Sequence, residues 1–440
     1  RAKKDNSEIN YLIRKTTWIL SISSIFSAAV LFFLSEFISI NFFHNTELII
    51  YLKIFSKALP FWIFACLFLS VIRAYERISA YSMIFNIIQN ISKLAVLVLL
   101  ILMGLRNMAV IFSFTIGTMI VLVCSYIYCR KNFPEMFKGK KANLAGKKLF
   151  RSLISYSVPI MFFGVISSLF YWIDSFLLGY FKGVVEVGFY NAAIPIASLL
   201  TLSSEIFIQL FFPLVTKYYS QGKLSLINDI SKQVGKWVWI INLPALALLL
   251  LFPGVFINIL FGKEYLVAEN ALRFLSITCF FSFLFFISNN LLFMIGKSKI
   301  ILFDIILASL VNIVLNFILI PMPMIFFLNN SAGITGAAIA TTISMILFDI
   351  IIVLQTNHYI KIIPIKRDMI KIFMITSVLL VPVYIISKFS TVNILGLLII
   401  GAVFTISYLV LILITGCLDK NDFMIINAIK RKLISKSINS

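Results

Sequence analysis

Twelve apolar runs, each close to the length that crosses a bilayer, are separated by short polar connections along this chain. A transmembrane helix needs about 20 mostly apolar residues, because the hydrocarbon core is about 30 Å thick. Hydrophobic residues make up 61% of the chain and charged residues only 12%, whereas soluble domains are about half apolar and about a quarter charged. The sequence therefore predicts an all-α polytopic membrane protein. The predicted spans are residues 17–34, 54–70, 81–102, 108–128, 153–180, 191–212, 238–260, 272–295, 301–320, 333–354, 372–386 and 394–415.

The connection between the fourth and fifth runs, residues 130–151, is strongly basic. It holds eight cations against one carboxylate, Glu135, so it cannot lie in hydrocarbon and is predicted to be a loop in water. Short basic loops between spans stay on the cytoplasmic side. If residues 1–15 lie on that side too, alternation places 30 of the 38 cations there, with residues 217–236 as another polar loop. We therefore predict a cytoplasmic-membrane protein whose basic loops and C-terminus are cytoplasmic.

The basic connection also divides the chain into predicted domains. Residues 1–129 form a first helical bundle of four spans, and residues 130–151 connect it to a second bundle of six spans, residues 152–356. Two additional transmembrane helices lie in residues 357–416, and residues 417–440 form a basic tail. This arrangement predicts two pseudo-symmetric bundles around a central cavity. The first bundle lacks two helices relative to the second.

A weak internal repeat supports the two-bundle interpretation. Lys53 matches Arg273 and Arg77 matches Lys297, both at a separation of 220 residues. Each pair brackets one apolar run of the same direction. A repeat of equal orientation indicates two bundles related by an axis along the membrane normal. Chance similarity between two apolar sequences is the alternative.

Composition and motifs exclude several other classes of protein. A formal charge of +21 suggests nucleic acid in a soluble protein, but here orientation and anionic lipid headgroups account for it. The five cysteines form no CxxC pair, so we predict no metal site. No catalytic motif is present and no loop is long enough for a soluble catalytic domain. We therefore predict a protein that is not an enzyme and has no cofactor.

A polar stripe lies on the third predicted span. Asn86, Gln89, Asn90 and Lys93 recur at three- and four-residue spacing, so a helix places them on one face. Ionisable groups inside a membrane are costly and usually face a cavity or a partner. We interpret the stripe as the wall of a substrate cavity in which Lys93 meets an anion such as phosphate. The alternative is a lysine that pairs with a carboxylate of a neighbouring helix.

Two carboxylates lie within predicted spans. Asp174 and Glu205 are each candidates to bind a coupling proton or cation, H+ or Na+, or to pair with the lysine of the stripe. Three amides on the eighth and ninth spans, Asn289, Asn312 and Asn316, are candidates to line the substrate cavity. Interhelical hydrogen bonding is the alternative role for these amides.

Several stretches resemble the polysaccharide (O-antigen, Wzx-type) flippases of the multidrug/oligosaccharidyl-lipid/polysaccharide exporter superfamily. The last of them is the most specific. The stretches are residues 174–179 (DSFLLG) with 187–193 (VGFYNAA), 212–217 (FPLVTK), 260–265 (LFGKEY) with 271–273 (ALR), and 312–321 (NIVLNFILIP) with 333–341 (GITGAAIAT). Members of that family usually have fourteen helices, as six plus six plus two. The chain therefore resembles a member without its first two helices.

This resemblance implies export of a lipid-linked oligosaccharide, carried on a polyprenyl pyrophosphate, by alternating access across the cytoplasmic membrane. Asn and Gln would meet the sugars and Lys93 would meet the phosphate. The implied partners are the lipid-linked oligosaccharide, membrane lipids and other polysaccharide-assembly proteins, without nucleic acid. The alternatives are another transporter of the superfamily, either a peptidoglycan lipid-precursor flippase or a cation-coupled drug antiporter, and a membrane enzyme such as a glycan polymerase.

Overall fold

The computed structural model describes residues 6–134, 144–322, 332–389, 394–419 and 422. Within these residues the chain is helical and has no strand. Among the described residues, eleven helices are long and apolar enough to cross a membrane, and a bent helix pair brings the number to twelve if it is one span. This confirms the predicted class, an all-α polytopic membrane protein with about twelve transmembrane helices.

The chain divides into two compact units, residues 1–164 (unit 1) and residues 165–440 (unit 2). The finer domain boundaries inferred from the sequence stay predictions. Helices enter both ends of the predicted basic loop 130–151, and residues 135–143 of that loop lie outside the described part. Most of the predicted basic tail, residues 420, 421 and 423–440, also lies outside it.

Unit 1 is built from long helices joined by short turns. One segment of π-helix, Ile38–Phe42, forms the end of the α1 helix, and a second, Met83–Ile88, interrupts otherwise regular α-helix. The second of them joins two helices into one apolar span, Ile78–Leu102. The helices are α1 (Asn6–Phe37), α2 (Leu48–Ala74), α3 (Ile78–Ser82), α4 (Gln89–Leu102), α5 (Met108–Asn132) and the start of α6 (Leu144–Phe181).

The core of unit 1 lies between α2 and α5. One face of α5 carries a small or slender buried residue at every fourth position: Ser113, Gly117, Val121, Ser125 and Cys129. In membranes, where lipid is as apolar as leucine, small residues let helix backbones approach closely and gain dispersion contacts. The spacing therefore explains why α5 forms the centre of this unit, with α2 and α4 packed against it.

In the part of the chain that the structure describes, unit 2 contains the end of α6, nine further α-helices and a 3-10 helix, Lys263–Ala268. Helices α7 and α8 meet at a bend of 47°, and α11 is the central helix, packed against α7, α8, α9 and α13. The small-residue run 333–340 of α13 is buried throughout. The helices are α7 (Val184–Ser198), α8 (Thr201–Ser220), α9 (Leu224–Leu251), α10 (Pro253–Leu260), α11 (Glu269–Met294), α12 (Ser298–Leu319), α13 (Ala332–Ile360), α14 (Asp368–Phe389) and α15 (Ile394–Ile414).

Helix ends repeat between the units at the separation found in the sequence. Ala74 ends α2 and Met294 ends α11, while Ile78 begins α3 and Ser298 begins α12; both pairs are 220 residues apart. The packing repeats as well, because α2 packs against α5 in unit 1 and α11 packs against α13 in unit 2. These coincidences support an internal repeat over chance similarity.

The prediction of a polar loop over residues 217–236 is wrong. Apart from a turn at residues 221–223, this stretch belongs to α8 and α9. Its last cation, Lys236, is fully buried. Its ammonium lies 2.6 Å from Asp422, 2.9 Å from Asp419 and 3.6 Å from Asp368. The prediction was based on the charged residues of this stretch. It could not include the distant carboxylates that allow Lys236 to be buried.

This ion-pair network attaches the segment after α15 to α9. Asp422 is fully buried and also accepts from Gln233, while Asp419 accepts from Lys366. Burial acts to raise the pKa of Asp419, but the hydrogen bonds from Lys366 and Lys236 outweigh it and hold that pKa below its usual value. Asp419 therefore stays charged, and its own ion pairs with Lys236 and Lys366 persist until the pH falls through that lowered pKa.

We predict that Lys236→Ala releases the segment after α15. It leaves Asp422 buried without its cation, and breaking a buried pair in this way costs about 3–5 kcal/mol. Cys417, which is 1% exposed, is the reporter. In a protein that keeps Cys417 as its single cysteine, Lys236→Ala should make alkylation of the Cys417 thiol much faster than it is without this substitution. Lys223→Ala, at an exposed lysine just before α9, is the control and should leave Cys417 protected. Equal protection in both variants would contradict the prediction.

Candidate functional site

Unit 2 buries a carboxylate among four donors from three other helices. Asp174 of α6 is 4% exposed. The hydroxyl of Tyr190 donates to it at 2.9 Å, and the amides of Asn312 and Asn316 donate at 3.1 Å and 2.6 Å. The hydroxyl of Thr341 donates as well. We call these five residues the Asp174 cluster.

The helix geometry explains how the cluster forms. Asn312 and Asn316 are four residues apart on α12, so one helical turn brings both amides to the same face. The amide of Asn316 also donates to Asn312 Oδ1 at 3.0 Å, which fixes the two side chains relative to each other. Thr341 reaches the carboxylate from α13, whose small residues allow close approach.

The chemistry of the Asp174 cluster is that of a small-cation site. It combines a carboxylate with hydroxyl and amide oxygens, the hard oxygen donors that hard cations prefer. One of these oxygens, Asn316 Oδ1, is buried and accepts no hydrogen bond. The described residues contain no group of three or more His, Cys, Asp or Glu side chains that would suit a transition metal. A buried carboxylate beside an unused oxygen acceptor can take up a proton or contribute a ligand to a monovalent cation.

Three of the five members of the cluster were candidates from the sequence. Asp174 had been assigned to ion coupling and the two asparagines to the substrate cavity, but the structure places all three in one buried group. Tyr190 and Thr341 were missed as functional residues. Each lies inside a stretch that carries the family resemblance, residues 187–193 and 333–341. That resemblance was therefore the one sequence feature that could have identified these two residues as functional.

Lys93 lies in a different setting, within unit 1. Its ammonium sits 4.2 Å from the ring centre of Phe114 and 5.9 Å from that of Trp62, as cation–π contacts. With its amide oxygen turned toward the ammonium, Gln89 accepts from Lys93 at 3.0 Å and donates to the Phe85 carbonyl at 3.0 Å. No described carboxylate of unit 1 forms an ion pair with Lys93. Its positive charge is therefore held by π-faces and an amide.

The predicted polar stripe is present but uneven. Gln89 is buried and Lys93 half-buried, whereas Asn86 and Asn90 are exposed. Asn90 donates to the Asn86 carbonyl at 2.8 Å, and Asn86 donates to Ser82 at 3.0 Å. The segment of π-helix ends just before Gln89. The two exposed amides thus bond along their own helix, and only Gln89 joins the lysine.

The remaining candidates do not join the Asp174 cluster. Glu205 is exposed on α8. Asn289 is half-buried on α11, and its side-chain oxygen is buried without a hydrogen bond. The assignments of both residues stay predictions.

An apolar cavity of about 620 Å³ lies in unit 2 beside the bend between α7 and α8. Leu200 at the bend has a carbonyl oxygen that accepts from Asn242 of α9 at 2.7 Å, and Ser203 donates to the same side chain at 2.8 Å. A break in a membrane helix needs such a partner, because hydrocarbon offers no hydrogen bonds. Neither the bend nor its support was predicted.

We predict that Gly117→Ala displaces Lys93. A methyl group at Gly117 would overlap Cγ of Lys93 and lie 3.4 Å from its Cα. Overpacking of this kind costs about 1–3 kcal/mol, so the thermal unfolding midpoint of the purified protein should fall by about 1–3 °C. Gly164→Ala is the control, because a methyl group there meets no atom within 4 Å. A Gly117→Ala protein as stable as the control would show that this packing is loose.

Comparison with known proteins identifies two family models along the chain. A model described as polysaccharide biosynthesis protein matches residues 1–219, and the MatE model matches residues 159–318. Among solved structures, the lipid II flippase MurJ in an inward closed conformation superposes with a TM-score of 0.71, covering 92% of this chain and 83% of that chain. At 16% identity, this similarity shows the fold alone.

Three curated relatives are similar in sequence. The lipid II flippase MurJ of Bacillus subtilis is 25% identical over 58% of this chain and 49% of its own length. The probable low-salt glycan biosynthesis flippase Agl15 of Haloferax volcanii is 26% identical over 59% and 51%. The putative O-antigen transporter of Shigella flexneri is 23% identical over 78% and 79%. The chain thus spans about half the length of the first two.

Proposed function

This chain belongs to the multidrug/oligosaccharidyl-lipid/polysaccharide exporter superfamily of flippases and transporters, and we propose that it moves a lipid-linked oligosaccharide across the cytoplasmic membrane. The substrate is a glycan on a polyprenyl pyrophosphate, and the transport mode is alternating access. The basic loops face the cytoplasm. The partners are this lipid-linked glycan, the surrounding lipids and proteins of polysaccharide assembly.

The observation that carries this proposal is the setting of Lys93. A cation within a membrane span is costly unless it has a function or a counter-ion, and no described carboxylate of unit 1 supplies one. A pyrophosphate would supply the missing negative charge. The neighbouring amides, Gln89 and the exposed Asn86 and Asn90, offer the donors and acceptors that sugar hydroxyls need.

The Asp174 cluster is proposed as the coupling site. A buried carboxylate surrounded by hydroxyls and amides can exchange a proton or a sodium ion for its hydrogen bonds. Its donors come from α7, α12 and α13, so loss or gain of the ion would change how α6 is held by three other helices. That is the kind of differential contact through which an ion can bias a conformational equilibrium.

Two alternative transport functions are each supported by one similarity to known proteins. The likeness to the MurJ of Bacillus subtilis favours a peptidoglycan lipid precursor as the substrate, which is also an anionic lipid-linked glycan. The MatE model over residues 159–318 favours a cation-coupled drug antiporter. Lys93 counts against a drug antiporter, because a cationic drug would meet a positive charge.

We predict that Lys93→Ala reduces glycan export by roughly ten-fold or more, since losing a charge-assisted hydrogen bond to a phosphate costs about 1.5–3 kcal/mol. The measurement is surface glycan and accumulated lipid-linked precursor in a flippase-deficient strain that has the cognate glycan pathway. Lys57→Ala removes an exposed lysine of the same unit and serves as control. Normal export by a well-expressed Lys93→Ala protein would exclude the lysine from substrate binding. Drug efflux without glycan export would favour the antiporter.

We predict that Asp174→Asn uncouples transport from the ion gradient, because it keeps the size of the side chain and removes the charge that a proton or Na+ needs. Collapsing the proton and sodium gradients in turn should slow the unmodified protein and leave the variant's residual transport unchanged. Asp304→Asn is the matched control, since Asp304 is also buried in unit 2 and bonds an amide, that of Gln355 at 2.9 Å. If collapsing either gradient leaves the transport rate of the unmodified protein unchanged, Asp174 has no role in ion coupling.

A further inference from the structure

Unit 1 has a second feature that the proposed transport does not use, an open-sided cavity of about 340 Å³ between the span Ile78–Leu102 and α5. Ile84 and Ile88 line one wall and Cys124 and Ile127 line the other. The lining is apolar except at one end, where Tyr128, Lys131 and Asn132 lie. We call this cavity the α5 groove.

The backbone on one wall of the groove is unusual. Met83–Ile88 is a segment of π-helix, and three of its residues line the cavity. A π-helical turn holds more residues than an α-helical turn, so it displaces the wall from its regular path, and such segments frequently occur at functional sites. Met83, which lines the cavity, is 57% exposed. The backbone conformation of the span therefore shapes the groove, which is open to a ligand from the side.

The polar end of the groove is positively charged. Tyr75 stacks on Phe133 with ring centres 4.0 Å apart, which brings the turn after α2 next to the end of α5. Four cations lie on these two segments, against the one carboxylate Glu76. They are Arg73, Arg77, Arg130 and Lys131. Lys131 is the member of this set that lines the groove.

We infer that the α5 groove binds one acyl chain of an anionic phospholipid, with the lipid phosphate beside Lys131. The apolar walls suit a hydrocarbon chain, and the basic end suits a negatively charged headgroup at the membrane surface. If each methylene takes about the volume of a water molecule, about 30 Å³, a cavity of about 340 Å³ holds roughly ten of them. This matches a segment of one acyl chain and is much smaller than a long polyprenyl chain.

The test is native mass spectrometry of the full chain extracted from nanodiscs that contain phosphatidylcholine and phosphatidylglycerol. The protein should retain phosphatidylglycerol in preference to phosphatidylcholine. Lys131→Gln should weaken this retention roughly five-fold, since one basic side chain near an anionic surface contributes about 1 kcal/mol. Ala80→Phe, which fills the groove and keeps the charge, should weaken retention as well. Lys299→Gln, at an exposed lysine near the start of α12, is the matched control and should retain the lipid.

Other outcomes would overturn the assignment. Equal retention by the Lys131→Gln and Lys299→Gln proteins would show general surface attraction without a site. Retention unaffected by Ala80→Phe, in a protein with an unchanged melting midpoint, would place the lipid elsewhere. If Ala80→Phe does not fold, alkylation of Cys124 in the unmodified groove decides: phosphatidylglycerol should slow its reaction with a lipid-soluble maleimide, and no protection would refute binding. Displacement of the lipid by undecaprenyl phosphate would assign the groove to the transported substrate.

Discussion

A backbone polar group inside the hydrocarbon must find its partner within the protein, and a buried charge needs one as well; this constraint governs both units of the chain. Helices satisfy their own backbone, but side chains and helix breaks need neighbours. The bend between α7 and α8 exposes the Leu200 carbonyl, and Asn242 of α9 supplies its donor. The carboxylate of Asp174 receives donors from three helices. The contacts that hold α6, α7, α12 and α13 together are therefore the ones that make a buried charge tolerable.

The two units carry opposite charges within their spans, each beside a related position of the internal repeat. A shift of 220 residues brings Lys93 of unit 1 onto residue 313 of unit 2, between Asn312 and Asn316. In unit 1 this place holds a cation against Phe114 and Gln89, and in unit 2 it holds the amides that donate to Asp174. An internal repeat thus carries a positive site in one copy and a negative site in the other.

Charge also organises the ends of the helices. Lys236 sits at 0% exposure with Asp419 and Asp422 against it, so the segment after α15 is attached through an ionic contact as well as by apolar packing. At the end of unit 1 where Tyr75 meets Phe133, the cations of the α2 turn and the α5 terminus are exposed, and Glu76 is the one carboxylate that the described residues place on these two segments. The charge of Lys236 is neutralised by carboxylates of the protein, whereas the exposed cations of unit 1 are available to the anionic headgroups of a membrane.

The sequence by itself determined the class of fold, the number of spans and which polar residues lie inside them. These properties depend on composition and local periodicity, which any stretch of about 20 residues displays. It placed Asp174, Asn312 and Lys93 within spans, but it did not show which of them meet. It also took the stretch ending at Lys236 for a loop. The Asp174 cluster and the burial of Lys236 depend on contacts between residues more than a hundred positions apart. They also depend on packing, since small side chains let α13 and α5 approach their neighbours. The π-helical segment in unit 1 is not predicted by the periodicity of the sequence. Only the packed structure decides such contacts, because a buried charge is stable or unstable according to neighbours that come from elsewhere in the chain.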